Sequence, residues 1–67
     1  LQYQGSSLTK AAETFRKALS LSPRDWRANR NLGMVYKKMG NELFSEKFLA
    51  KAAQYRAAVE TAATETP

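Results

Sequence analysis

The side chains that most often carry enzyme chemistry are missing from this chain: it has no His and no Cys. Nucleophilic catalysis needs a hydroxyl, thiol or amine beside a base, and no Ser, Thr or Lys here has a base partner that spacing identifies. The six acids are scattered, so no carboxylate pair offers itself for acid–base work. Structural zinc is excluded because its sites are built from Cys and His. The three Gly residues stand alone and form no phosphate-cradling loop. The composition therefore points away from an enzyme and implies no metal and no cofactor. What remains is charge. Net charge is +5, and its densest part is Arg27, Arg30, Lys37 and Lys38, with no acid between Trp26 and Asn41. Unneutralised bases of this kind attract carboxylates or phosphates and speed encounter with them.

Three helices are expected to position these bases. The first spans about Leu8–Leu21. Leu8, Ala11, Ala12, Phe15, Ala18 and Leu19 recur at the spacing of one helical face, Ser7 is a suitable N-cap, and Glu13 and Lys17 stand at the i, i+4 spacing of an ion pair. Pro23 stops it by disfavouring the helical conformation at Ser22. The second spans about Asp25–Met39, capped by Asp25, with Ala28, Leu32, Val35, Tyr36 and Met39 as its apolar stripe. Gly40 supplies the left-handed stop. The third starts after the N-cap Asn41 and runs to about Glu60. Phe44, Phe48, Ala52, Tyr55 and Val59 share one stripe, which Leu49 and Ala53 widen. Residues 1–7 are expected to be a connection from a preceding helix and 61–67 a frayed tail. No segment alternates with a period of two, so no strand is expected.

Short connections make antiparallel neighbours of successive helices. A chain of 67 residues buries only about 60% of the surface its unfolded form exposes. Without disulfides or metal, added stability has to come from idealised packing or from neighbouring protein. No apolar run approaches the ~18 residues of a membrane span, and the opening residues lack the pattern of a signal peptide. The pattern also begins part-way, without an initiator Met, so the segment is expected to come from a longer protein.

Sliding the chain against itself by 34 positions lays Ala11 on Ser45, Phe15 on Leu49 and Ala18 on Ala52. Small falls on small and large apolar on large apolar, so the first and third helices are expected to do the same packing job, with Phe15, Ala18, Leu32, Tyr36, Leu49 and Ala52 buried together and Gly33 at the closest approach of the second helix to a neighbour. With Leu32-Gly33, Tyr36 and Gly40 at their spacings, and Pro23 closing the first unit, the sequence resembles the tetratricopeptide repeat family. The resemblance covers about Leu8 to Gln54. It implies an all-α fold of three antiparallel helices, a fragment of an α-solenoid with about one and a half repeats: a B-type helix over 8–22, then an A and B pair over 23–60. Two departures stand out. The family's Trp position holds Asn29, with Trp26 three residues earlier, and the third helix outruns a usual B helix. Trp26 is expected to pack on the first helix near the Pro23 turn; the alternative is that it anchors a partner, since Trp is enriched at interface hot spots.

On a helical wheel, Arg27, Arg30, Asn31, Met34, Lys37 and Lys38 fall within an arc of roughly 120°, opposite the apolar stripe. The resemblance implies that this exposed face of an A helix lines a groove for partner segments, so these six are the expected partner-binding residues and the function a protein–protein interaction module. In one subset of the family, basic residues and Asn on A helices hold terminal carboxylates; Met34 stands where that subset often has Asn. The expected partner is a protein or peptide of acidic character, along with self-association or packing against further repeats. The same bases equally serve as a solvated face. The alternative is a small basic helical bundle binding nucleic acid, favoured by the high pI. A helix-turn-helix would need the later helix to be the basic reader, and here that helix has three acids and three bases between Glu42 and Glu60. Its bases, Lys51 and Arg56 among them, are expected to add little to partner binding.

Overall fold

A computed structural model describes the backbone of residues 2–65 and the side chains of 7–62. It holds three helices, α1 (Gln2–Leu21), α2 (Trp26–Lys38) and α3 (Glu42–Glu65), and no strand among the described residues. The all-α architecture and the order of elements follow the sequence reading.

The helix boundaries in the middle of the chain have local causes. After α1 the amide of Asp25 donates to the Ser22 carbonyl at 3.1 Å, closing the Pro23 turn. Asp25 is extended (φ −71°, ψ 107°), and its carboxylate accepts from the amides of Arg27 at 3.0 Å and Ala28 at 3.5 Å. Both would otherwise lack partners in the first turn of α2. At the other end Gly40 has φ 83°. The Asn41 amide reaches the Tyr36 carbonyl at 2.9 Å and the Gly40 amide reaches Lys37 at 3.0 Å, the paired bonds of a Schellman motif. Asn41 then caps α3, its side-chain oxygen accepting from the Phe44 amide at 3.2 Å.

The outer ends differ from expectation. α1 begins at Gln2 and contains Ser7, which therefore is not its N-cap. Between Gln2 and Leu8 the only residue of low helix propensity is Gly5, which weakens a helix by about 1 kcal/mol without stopping it. α3 continues past Glu60 to Glu65, since Thr61 to Glu65 holds two alanines and no Gly or Pro. Leu1, Thr66 and Pro67 lie outside the described residues. Glu13 and Lys17 are not joined as an ion pair among the described residues.

α2 is the middle of a flat layer. It packs on α1 and on α3, while among the described residues no Cα of α1 comes within 8 Å of one in α3, and the extents are 52 × 22 × 14 Å. A closed bundle would bring all three helices together; this arrangement stacks them in sequence. The core follows from it. Leu32, with no exposed surface, joins Ala12 and Tyr36, and Phe15, Leu19, Val35 and Phe48 pack around them. The Tyr36 ring meets Phe44 edge-on at 5.2 Å and stacks on Phe48 at 5.7 Å. Of the residues expected to be buried together, Leu32, Tyr36 and Ala52 are buried, whereas Phe15, Ala18 and Leu49 are only partly so. The outer helices of a single layer are covered from one side, so their apolar residues stay half-open.

Gly33 sets the distance between α2 and α3. A Cβ there would lie 2.8 Å from Cγ of Leu49 and 3.1 Å from its backbone nitrogen, closer than atoms pack. As the sequence suggests, this is the point of closest approach. Asn29 is also buried, at 2% exposure. Its side-chain amide donates to the carbonyls of Pro23 at 3.2 Å and Asp25 at 2.9 Å, so it ties the inter-helix turn to the body of α2.

Candidate functional site

All six residues expected to bind a partner are exposed. Helical phase places them on one side of α2, but the neighbouring helices divide that side into three surfaces. Asn31, Met34 and Lys38 line an open groove of about 380 Å³ against Ser7, Leu8, Ala11 and Phe15 of α1. Arg30 lines a second groove of about 210 Å³, against Leu49, Ala52, Ala53 and Arg56 of α3, with Trp26 at its end. Lys37 lines a third, of about 150 Å³, with Glu42, Ser45, Glu46 and Leu49. The fourth base, Arg27, lies over the Trp26 ring at 5.2 Å from its centre.

Two of these placements change the electrostatics read from the wheel. Within α2 the bases have no acid near them, but α3 brings Glu42 and Glu46 to the groove of Lys37. The C-terminal end of the basic face is therefore of mixed sign. No acid lines the groove at the N-terminal end. There α3 contributes another cation, Arg56, whose guanidinium lies 4.9 Å from the centre of the Trp26 ring. Trp26 is thus half-buried at the groove against α3, with the guanidiniums of Arg27 and Arg56 both near its ring, whereas its nearness to the Pro23 turn suggests α1. The described residues give Arg30, Lys37 and Lys38 no ion pair. Arg56 pairs with Glu60 at 3.2 Å, one turn on, with both side chains more than half exposed. Such a pair contributes about 0.3–0.5 kcal/mol, too little to keep Arg56 from another carboxylate.

Sequence reasoning did not assign Trp26 and Arg56 to the basic face. A partial signal existed for Arg56. Leu49, Ala52, Ala53 and Arg56 stand at i, i+3, i+4 and i+7, so they share one side of α3. Which part of α2 that side meets depends on how the two helices are set against each other, and helical spacing does not carry that information.

A second set of apolar groups lies away from these grooves. Leu43, Phe44 and Val59 are exposed on α3, and Lys47 sits over the rings of Phe44 and Phe48 at 5.9 and 5.8 Å. Lys51 adds a similar contact to Phe48 at 5.6 Å. These lysines cover ring faces with their own charged ends, as long side chains do on apolar surface. Among the described residues no group of three or more Asp and Glu is placed to hold a metal ion, and no helix is long and apolar enough to cross a membrane.

Compared with known families, the chain matches the model described as TPR repeat over residues 1–40. That segment takes in α1, α2 and the turn at Gly40; it begins before Leu8 and stops short of α3, so it differs at both ends from the span suggested by the motif residues. No curated protein and no solved structure matches the chain.

Proposed function

The chain belongs to the TPR repeat family, and from that premise we propose that it is a protein–protein interaction module whose basic α2 face takes an extended acidic segment of a partner. Membership supports the general class. The finer reading is supported by one observation above the rest: four bases project from one side of a thirteen-residue helix that contains no acid. Arg27, Arg30, Lys37 and Lys38 supply the charge, Asn31 a polar contact between them, and Met34 an adaptable apolar one, since a thioether side chain moulds to varied surfaces.

Magnitudes dictate how such a face works. Each exposed ion pair is worth about 0–1 kcal/mol, so a single carboxylate would not be held. Several spaced along a segment, with an apolar side chain reaching Met34, would add to a usable affinity. Charge at this density also raises the rate of encounter and makes it fall with salt.

The test is binding of a labelled peptide of alternating Glu and Leu to the chain and to a variant carrying Arg30→Glu and Lys37→Glu. We expect the variant to bind more weakly by about tenfold or more, with helicity and melting unchanged because both side chains are exposed. Reversal of Lys10 and Lys17, exposed on α1, should leave binding nearly intact. Equal losses in the two variants would reduce the α2 bases to a solubilising surface.

A further inference from the structure

We propose that the groove between Trp26, Arg30 and Arg56 is the anchoring point of the acidic partner, taking one carboxylate at its cationic rim and one apolar side chain on its floor. This rests on the acidic-partner reading above and adds to it a helix, α3, that the reading leaves out.

Three observations meet here. The first is charge. Arg27 and Arg56 both bring guanidiniums over one indole, at 5.2 and 4.9 Å from its centre, and Arg30 lines the same groove as Arg56. Like charges gathered on one surface repel one another, and a carboxylate set among them relieves that repulsion while gaining planar hydrogen bonds from guanidinium edges. Among the described residues, the only carboxylate bonded to any of the three is Glu60, on Arg56, in an exposed pair one helical turn away. The second is the floor: Leu49, Ala52 and Ala53 form an apolar bed between the arginines, wide enough for one aliphatic or aromatic side chain. The third is rigidity. The groove stands over the Gly33–Leu49 contact, and Trp26 follows directly on the capped, Asn29-tied turn. A preformed site loses less ordering entropy on binding, and Trp and Arg are the residues most often found to dominate interface energetics.

The same residues resemble, in type, a platform for nucleic acid, where bases stack on aromatic rings. Two guanidiniums already lie close to the indole and compete with a base for its ring. A carboxylate approaching the guanidinium edges displaces nothing. A second copy of this chain is disfavoured as the occupant by its own net charge of +5.

Trp26 is the only Trp in the chain, so its emission reports on this groove alone. The experiment titrates the chain with the alternating Glu and Leu peptide. Trp26 emission is read directly, and affinity is read by anisotropy of a labelled peptide for Arg56→Glu, Trp26→Ala and a Lys37→Glu, Lys38→Glu double variant. We expect the peptide to shift Trp26 emission to shorter wavelength. Arg56→Glu and Trp26→Ala should each weaken binding by about fivefold or more with the helical signal retained. Arg56→Lys, which keeps charge but not the planar fork, should recover part of the loss. If only the Lys37 and Lys38 variant loses affinity and Trp26 emission stays still, the groove is not the anchor, while the broader α2 reading survives. If only the groove variants lose affinity, the contact is confined to the groove. Absence of any peptide binding overturns both. A Trp26 shift that follows protein concentration without peptide would seat a second copy in the groove. Displacement of the peptide by equimolar oligothymidylate would assign the groove to nucleic acid. Either result overturns the proposal.

Discussion

The seam between α2 and α3 has two ends built from the same basic helix, and they differ in sign. Near Trp26, α3 adds Arg56 to Arg27 and Arg30. Near Lys37, it adds Glu42 and Glu46. α2 alone would make both ends cationic. The difference teaches that a helix's charge pattern becomes a surface potential only after its neighbour has contributed its own groups. At these short ranges, a carboxylate in the same groove offsets a nearby ammonium whatever the net charge of the chain.

Both ends depend on the seam staying closed, and the largest expected effect comes from removing what closes it. Leu32 has no exposed surface and sits in the central cluster with Ala12 and Tyr36. Leu32→Ala should cost about 2–5 kcal/mol, enough in so small a domain to abolish a cooperative thermal transition by circular dichroism. If the transition persists with a small shift, the seam is held by something other than this core.

Gly33→Ala comes next. Its new Cβ would meet Leu49 at side chain and backbone alike, and overpacking of this kind costs about 1–3 kcal/mol. Urea denaturation should show the loss. Because Gly33 lies at the point of closest approach, both grooves should be affected together. A variant that loses stability while keeping native Trp26 emission would show that the two ends can open separately.

Asn29 sharpens the contrast, because its bonds belong to one end only. Asn29→Ala removes both bonds to the Pro23 and Asp25 carbonyls and should destabilise by about 1–2 kcal/mol. Trp26, three residues away, should report a red-shifted emission in the folded variant. Chemical shifts around Lys37 and Glu46 should stay in place, and changes of equal size there would argue that the seam responds as one unit.

The smallest effect would turn one end into the other. Glu42→Gln with Glu46→Gln removes the two carboxylates from the Lys37 groove. Stability should move by less than about 1 kcal/mol. Affinity for the Glu and Leu peptide should rise by about two- to fivefold, with a steeper fall on adding salt. Unchanged affinity would mean that these acids do not mask Lys37.

Much of this was legible along the chain. The stops at Pro23 and Gly40, the caps Asp25 and Asn41, the burial of Leu32 and Tyr36 and the close approach at Gly33 all follow from steric rules, local hydrogen bonds and helical periodicity. Each is decided within a few residues of sequence. The helix ends beyond Ser7 and Glu60 were less legible. No strong breaker lies there, and a helix without one continues for as long as its residues permit.

The sequence by itself determined three helices, their order, the apolar stripe of α2 and the presence of six exposed residues on its other side. Only the tertiary structure decided that five of those six would be divided among three grooves while Arg27 lies over the Trp26 ring, that Trp26 would line the groove against α3, and that Arg56 would sit at one end of the seam and two glutamates at the other. The physical reason is that side-chain direction within a helix is fixed by its 3.6-residue period. The axial and rotational setting of α3 against α2 is fixed by packing, here by the room Gly33 leaves for Leu49, and it brings Arg56 to Trp26 and Arg30, more than twenty residues earlier in the chain.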